Sequence, residues 1–117
     1  MVKAEFFTNK DSGSITLRLS GHAGAANKGE DIVCAASSIL AYTVAQAMQF
    51  MYEEGMLHKK PRIKLEPGDS VIVAKPKPDA YAEALHTFFV AQVGYHLLAR
   101  NYPQHVEIQS FGESDGS

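Results

Sequence analysis

Apolar and polar positions alternate at the start of the chain: Val2, Ala4 and Phe6 against Lys3 and Glu5. That period of two predicts a strand over residues 2–8. Asn9-Lys10-Asp11-Ser12-Gly13 is turn-forming by composition. Ile15, Leu17 and Leu19 then alternate with Thr16, Arg18 and Ser20, which predicts a second strand and an antiparallel hairpin. The period changes after residue 31. Ile32, Ala36, Ile39, Leu40, Thr43, Ala47, Met48 and Met51 recur at three- and four-residue steps, the mark of a helix with its core face on those positions. Asp31 reads as its N-cap and Gly55 as its stop.

Alternation returns at Arg62-Ile63-Lys64-Leu65-Glu66, and Pro67-Gly68 fits the centre of a type II turn. Val71-Ile72-Val73-Ala74 is a nearly continuous apolar run, so the return strand is expected to be more buried. Pro76 and Pro78 end it, and Asp79 reads as the cap of a second helix of about six turns. Tyr81, Ala84, Leu85, Phe88, Ala91, Gln92, Tyr95, Leu98 and Tyr102 form its stripe. Pro103 closes it, and Val106, Ile108 and Ser110 mark a last strand. The order ββαββαβ predicts an α+β fold: a single mixed or antiparallel sheet carrying two long helices. Residues 1–111 are expected to form one domain and 112–117 a flexible polar tail.

Composition narrows the function. The 117 residues are 45% hydrophobic, with 11 basic against 13 acidic side chains and a formal charge of −2. That balance gives no push toward nucleic acid, and none is expected as a direct partner. The basic run His58-Lys59-Lys60-Pro61-Arg62 stands beside Glu53 and Glu54 and reads as a solvated loop. No apolar stretch reaches the roughly 20 residues of a membrane span, and the first residues lack the core of a signal peptide. A single cysteine cannot form an internal disulfide, so a cytoplasmic protein is expected, with no membrane partner.

The candidate chemistry lies between Gly21 and Cys34. His22 stands at a strand end, a glycine-rich loop follows, and Cys34 falls in what the Asp31 cap makes the first helical turn. Orphan N–H groups and the helix dipole there favour a thiolate, and an imidazole nearby completes a nucleophile with its base. Taken singly, a lone cysteine in an apolar helix is most often a small buried hydrophobe, and a histidine at a strand end is often incidental. A phosphate cradle fits poorly: no Gly-Lys-Ser/Thr follows the loop, and Glu30 and Asp31 would repel the anion. A metal site fits less well, since His58, His86, His96 and His105 are scattered. The aromatic residues Tyr42, Phe50, Tyr52, Phe88, Phe89 and Tyr95 sit at core-like helical spacing and read as packing rather than a base-stacking platform, with room for one or two to line a substrate pocket near the loop. A redox-sensing thiol would want a resolving cysteine, which this chain lacks.

The segment Ser20-Gly21-His22-Ala23, followed by Gly29-Glu30-Asp31-Ile32-Val33-Cys34-Ala35-Ala36-Ser37-Ser38, strongly resembles the ribosomal-processing cysteine protease family Prp. Its signature is Gly-His, then Gly-x-Asp-Ile-Val-Cys-Ala-Ala-x-Ser. The resemblance implies a homodimeric, cytoplasmic thiol protease without cofactor or metal. It implies removal of the N-terminal extension of large-subunit ribosomal protein twenty-seven, after a phenylalanine and before lysines, ahead of ribosome assembly. His22 matches the catalytic histidine and Cys34 the nucleophile. Asp31, Ser38 and Gly21 match supporting positions, Asp31 as either a third catalytic member or a helix cap. Glu30, Asp31 and the Glu53-Glu54 pair are expected to offer charge to substrate lysines. The competing reading is a non-catalytic ribosome-associated binding module with Cys34 in the core.

Overall fold

The computed structural model describes residues 1–21 and 28–111, with the side chains of 1–21 and 31–111. Five strands and two long helices follow in the order β1 (Val2–Asn9), β2 (Ser14–Ser20), α1 (Lys28–Glu53), β3 (Arg62–Glu66), β4 (Asp69–Ala74), α2 (Tyr81–Asn101) and β5 (Val106–Gln109). A short 3₁₀ turn, Pro78–Ala80, leads into α2. The strands make one sheet in the order β3-β4-β2-β1-β5. The β1–β2, β2–β4 and β3–β4 pairs are antiparallel, and β5 joins β1 in parallel, so the sheet is mixed.

The register explains why the helices share one face. Ala4 pairs with Leu19, Phe6 with Leu17, Leu17 with Ile72 and Ile15 with Ala74. Since alternate residues point to one side, these apolar positions form a single surface. It merges with Ala41, Val44, Ala45 and Met48 of α1 and Ala84, Phe88 and Tyr95 of α2 into one core. A second cluster, Val2, Val33 and Val106, fastens the start of α1 to the starts of β1 and β5. Pro67-Gly68 turns between the paired Glu66 and Asp69, with Gly68 at φ +74° as a type II turn demands.

Three expectations change. Both predicted caps are displaced. α1 begins at Lys28, which puts Asp31 inside the helix, and Asp79 lies within the 3₁₀ turn, where the cap positions Lys77 and Ala80 make no side-chain cap bond. The core face of α1 runs through Val33, Ser37, Ala41, Val44, Ala45, Met48 and Met51, while Ile32, Ile39 and Thr43 are exposed. α1 is apolar around much of its circumference, so several stripes satisfy the same period. For that reason Asp31–Glu53, at mean hydropathy 1.3, is also long and apolar enough by length and composition to cross a membrane. Here one side of it packs into the core.

Candidate active site

Packing decides where Cys34 points. Val33 and Ser37 are buried, and Cys34, about 100° around the helix from Val33, is exposed. It lines a pocket of about 210 Å³. Ser37, Ser38, Ala41 and Tyr42 of α1 form one wall, and Val2, Leu19 and Gly21 the strand side. The β3–β4 turn, Leu65 to Ser70, faces them. Asp31, Cys34 and Ser38 stand three and four residues apart on α1, spacing that places them on one helical face. Asp31 is solvent-exposed, and Ser38 opens on the pocket with Cys34.

Gly21 closes β2 and is held there by its N–H, which donates to the Gly68 carbonyl at 3.1 Å. Its φ of +85° suits glycine, and a Cβ would run into the Met1 carbonyl oxygen. The residue before His22 therefore lines the same pocket as the thiol. His22 itself and the side chain of Glu30 lie outside the described residues.

Because α1 starts at Lys28, Cys34 falls in its second turn. The N–H groups without intrahelical acceptors belong to the first four residues of a helix, which are Lys28 to Asp31, not Cys34. Helix-start donors beside the thiol, expected from the Asp31 cap, are therefore displaced toward residues 28–31. Glu53 lies about 30 Å along α1 from Cys34, too far for the Glu53-Glu54 pair to serve this pocket.

The turn residues escaped sequence reasoning, because nothing local links Glu66 or Asp69 to Cys34. Lys64 Nζ bonds Asp69 Oδ2 at 2.6 Å across the hairpin. The hydrogen bond and the ammonium charge hold the Asp69 carboxyl below its ordinary range and raise Lys64. Glu66 is left as the exposed carboxylate at the pocket rim that makes no ion pair among the described residues. Among the aromatic residues, Tyr42 is the one that lines the pocket, half exposed, while Phe50 and Phe89 face solvent instead of packing and Phe88 and Tyr95 are core.

Beneath the pocket wall, the Tyr95 hydroxyl donates to the Ser37 carbonyl at 2.7 Å and accepts from Ser37 Oγ at 3.4 Å. Burial pushes the Tyr95 phenol up to about 12.

A family profile described as Cysteine protease Prp matches residues 1–107. No curated protein sequence matches the chain. Among solved structures, SMU.848 from Streptococcus mutans is similar at a TM-score of 0.67 and 25% identity, covering 93% of this chain and 92% of that one. The essential ribosomal processing protease Prp from S. aureus in complex with a substrate peptide aligns at 0.66 and 17% identity, over 95% and 99%. The same enzyme with a covalently linked product peptide aligns at 0.65 and 19%, over 95% and 99%. At those two identities the likeness concerns the fold.

Proposed function

Since this chain belongs to the cysteine protease Prp family, we propose that it is a cytoplasmic thiol endopeptidase that trims the N-terminal extension of large-subunit ribosomal protein twenty-seven before ribosome assembly. The observation that carries this reading is an exposed Cys34 on the wall of a pocket that also contains Gly21, the residue preceding His22. A thiol buried in the core, as the binding-module reading requires, is not what the fold presents.

In the proposed reaction His22 takes the Cys34 proton and the sulfur attacks the scissile carbonyl. The oxyanion collapses to a thioester as the imidazolium protonates the leaving amine. Water, deprotonated by His22, then hydrolyses the thioester and regenerates the thiol. Ser38 Oγ, one turn along the same face, is a hydroxyl donor within the pocket. The apolar lining of Val2, Leu19, Ala41 and Leu65 suits a phenylalanine side chain, and Glu66 at the rim suits a following lysine.

We read the working form as a homodimer. Val90, Val93 and Leu97 form an exposed apolar stripe on α2, and Ile39 of the neighbouring helix is 60% exposed. Val93→Glu is expected to convert a dimer seen by light scattering to monomer.

The deciding experiment incubates the protein with a ribosomal N-terminal peptide containing phenylalanine and identifies the products by mass spectrometry. One cut after phenylalanine is expected, lost in Cys34→Ala and in His22→Ala with the fold intact by circular dichroism. Undiminished cleavage by Cys34→Ala would refute the assignment.

A further inference from the structure

The end of the sheet remote from Cys34 gathers positive charge from separate parts of the chain. Lys59, Lys60 and Arg62 come from the segment leading into β3, Lys75 from the end of β4, and Ser12 and Ser14 from the β1–β2 turn. Together they line a cleft of about 280 Å³ whose lining contains no carboxylate. Among the described residues none of these four cations takes part in an ion pair; the pairs present are Lys3–Glu107 and Lys64–Asp69.

The basic segment is pinned. His58 N–H donates to the Lys75 carbonyl at 2.9 Å, and Lys77 N–H donates to the Met56 carbonyl at 3.0 Å. Leu57 and Pro76 form a β-bridge between these bonds, and Leu57 and Pro61 are buried. The spacing of Lys59, Lys60 and Arg62 from Lys75 is thus set by backbone bonds before any ligand arrives, which lowers the entropic cost of binding. Ser12 Oγ and Ser14 Oγ are hydrogen-bonded to each other at 2.8 Å at the cleft wall, which leaves one of the two hydroxyl protons to donate to an anion's oxygen.

We propose that this cleft binds the phosphodiester backbone of a nucleic acid. Unpaired lysines, an arginine and serine hydroxyls are the groups that contact backbone phosphates. The exposed rim of several point charges matches a repeating anion better than a single buried one. The chain-wide charge of −2, which leads to the opposite expectation, is a sum over the whole sequence and does not describe the lining of this one cleft. Glu66 and Asp69 stand at the Cys34 end of the sheet, and the cations at the other, roughly 20 Å away along β2. Phosphate held here would leave the protease pocket open.

The test is fluorescence anisotropy of a short single-stranded RNA titrated with the full chain, in about 50 mM and about 200 mM salt. The expected result is saturable binding that weakens with salt. Lys60→Ala combined with Lys75→Ala should lower the affinity about tenfold and reduce the salt slope by about two. Neither residue belongs to the protease pocket, so peptide cleavage by that double variant should equal that of the parent, and RNA binding should persist in Cys34→Ala. Absence of RNA binding at the lower salt, or binding indifferent to the double substitution, would overturn the proposal. Equal competition by poly-glutamate at matched charge would overturn it as well, since it would show a general acidic-ligand site.

Discussion

The hydroxyl of Tyr95 on α2 donates to the carbonyl of Ser37 on α1, 58 residues apart in sequence and 2.7 Å apart in space. Ser37 lies three residues beyond Cys34, so this buried bond ties the nucleophile's stretch of helix to its neighbour. Tyr95→Phe removes the bond and keeps the ring, including its edge-on contact with Phe6. A loss of about 1 kcal/mol is expected, read as a melting-temperature drop of about 5 °C by calorimetry.

The same phenol sets an alkaline limit. Its value rises from an ordinary 10.0 to about 12 on folding. Between those values the folded state keeps a proton that the unfolded state has released, so stability declines as pH rises from 10 toward 12. The full contribution is roughly 3 kcal/mol. Urea titrations across that range should show the decline in the parent, and Tyr95→Phe should lack this component.

Two glycines of similar φ separate backbone strain from collision. Gly13, at φ +73°, has open space where a Cβ would sit, whereas Gly21, at φ +85°, has the Met1 carbonyl. Gly13→Ala should cost about 1 kcal/mol. Gly21→Ala should cost about 3 kcal/mol, because the strand start must also shift, and it should reduce peptide cleavage along with stability. Equal losses in the two variants would show that Met1 yields freely.

Exposure of Cys34 predicts its accessibility. A disulfide reagent such as Ellman's should titrate one thiol per chain in the folded protein without denaturant. A thiol that reacts only after unfolding would contradict the surface on which the pocket is built.

The Lys64–Asp69 pair predicts an acid titration. Asp69 is held below its ordinary value of 3.8, first by the hydrogen bond from Lys64 and then by its charge. Its stabilising contribution is therefore present above the ordinary carboxylate range and lost as pH falls through the lowered folded value. Side-chain NMR should find Asp69 titrating below an exposed aspartate, and Lys64→Met should return it toward 3.8.

The strands were legible because each carries a local signal: alternation in β1 and β2, a continuous apolar run in central β4, and Pro67-Gly68 at a turn whose glycine has φ +74°. The stripe of α2 through Ala84, Phe88, Ala91, Gln92 and Tyr95 was equally legible, because these positions keep the three- and four-residue steps of one helical face. α1 was not, since an almost uniformly apolar helix does not say which side the sheet will take. The start of α1 was hidden by Gly29, which reads as loop although the helix runs through it. Within the site, Cys34 was visible from its place after a histidine, a glycine-rich loop and a helix start, and Asp31 and Ser38 through the family signature. Glu66 and the paired Lys64 and Asp69 became part of it only through the hairpin's approach to α1, a relation between distant segments that no local pattern encodes. Lys75 joins Lys59, Lys60 and Arg62 by the same kind of long-range closure.

β5 follows every other element in chain order, yet it flanks β1, and Val106 packs on Val2 and Val33. Val2 N–H also donates to the His105 carbonyl at 2.8 Å. A polypeptide emerging from the ribosome must therefore expose residue 109 before its first strand gains its second neighbour. The wall beside the sulfur is braced last, so its Val2 side is complete only after nearly the whole sequence has been synthesised.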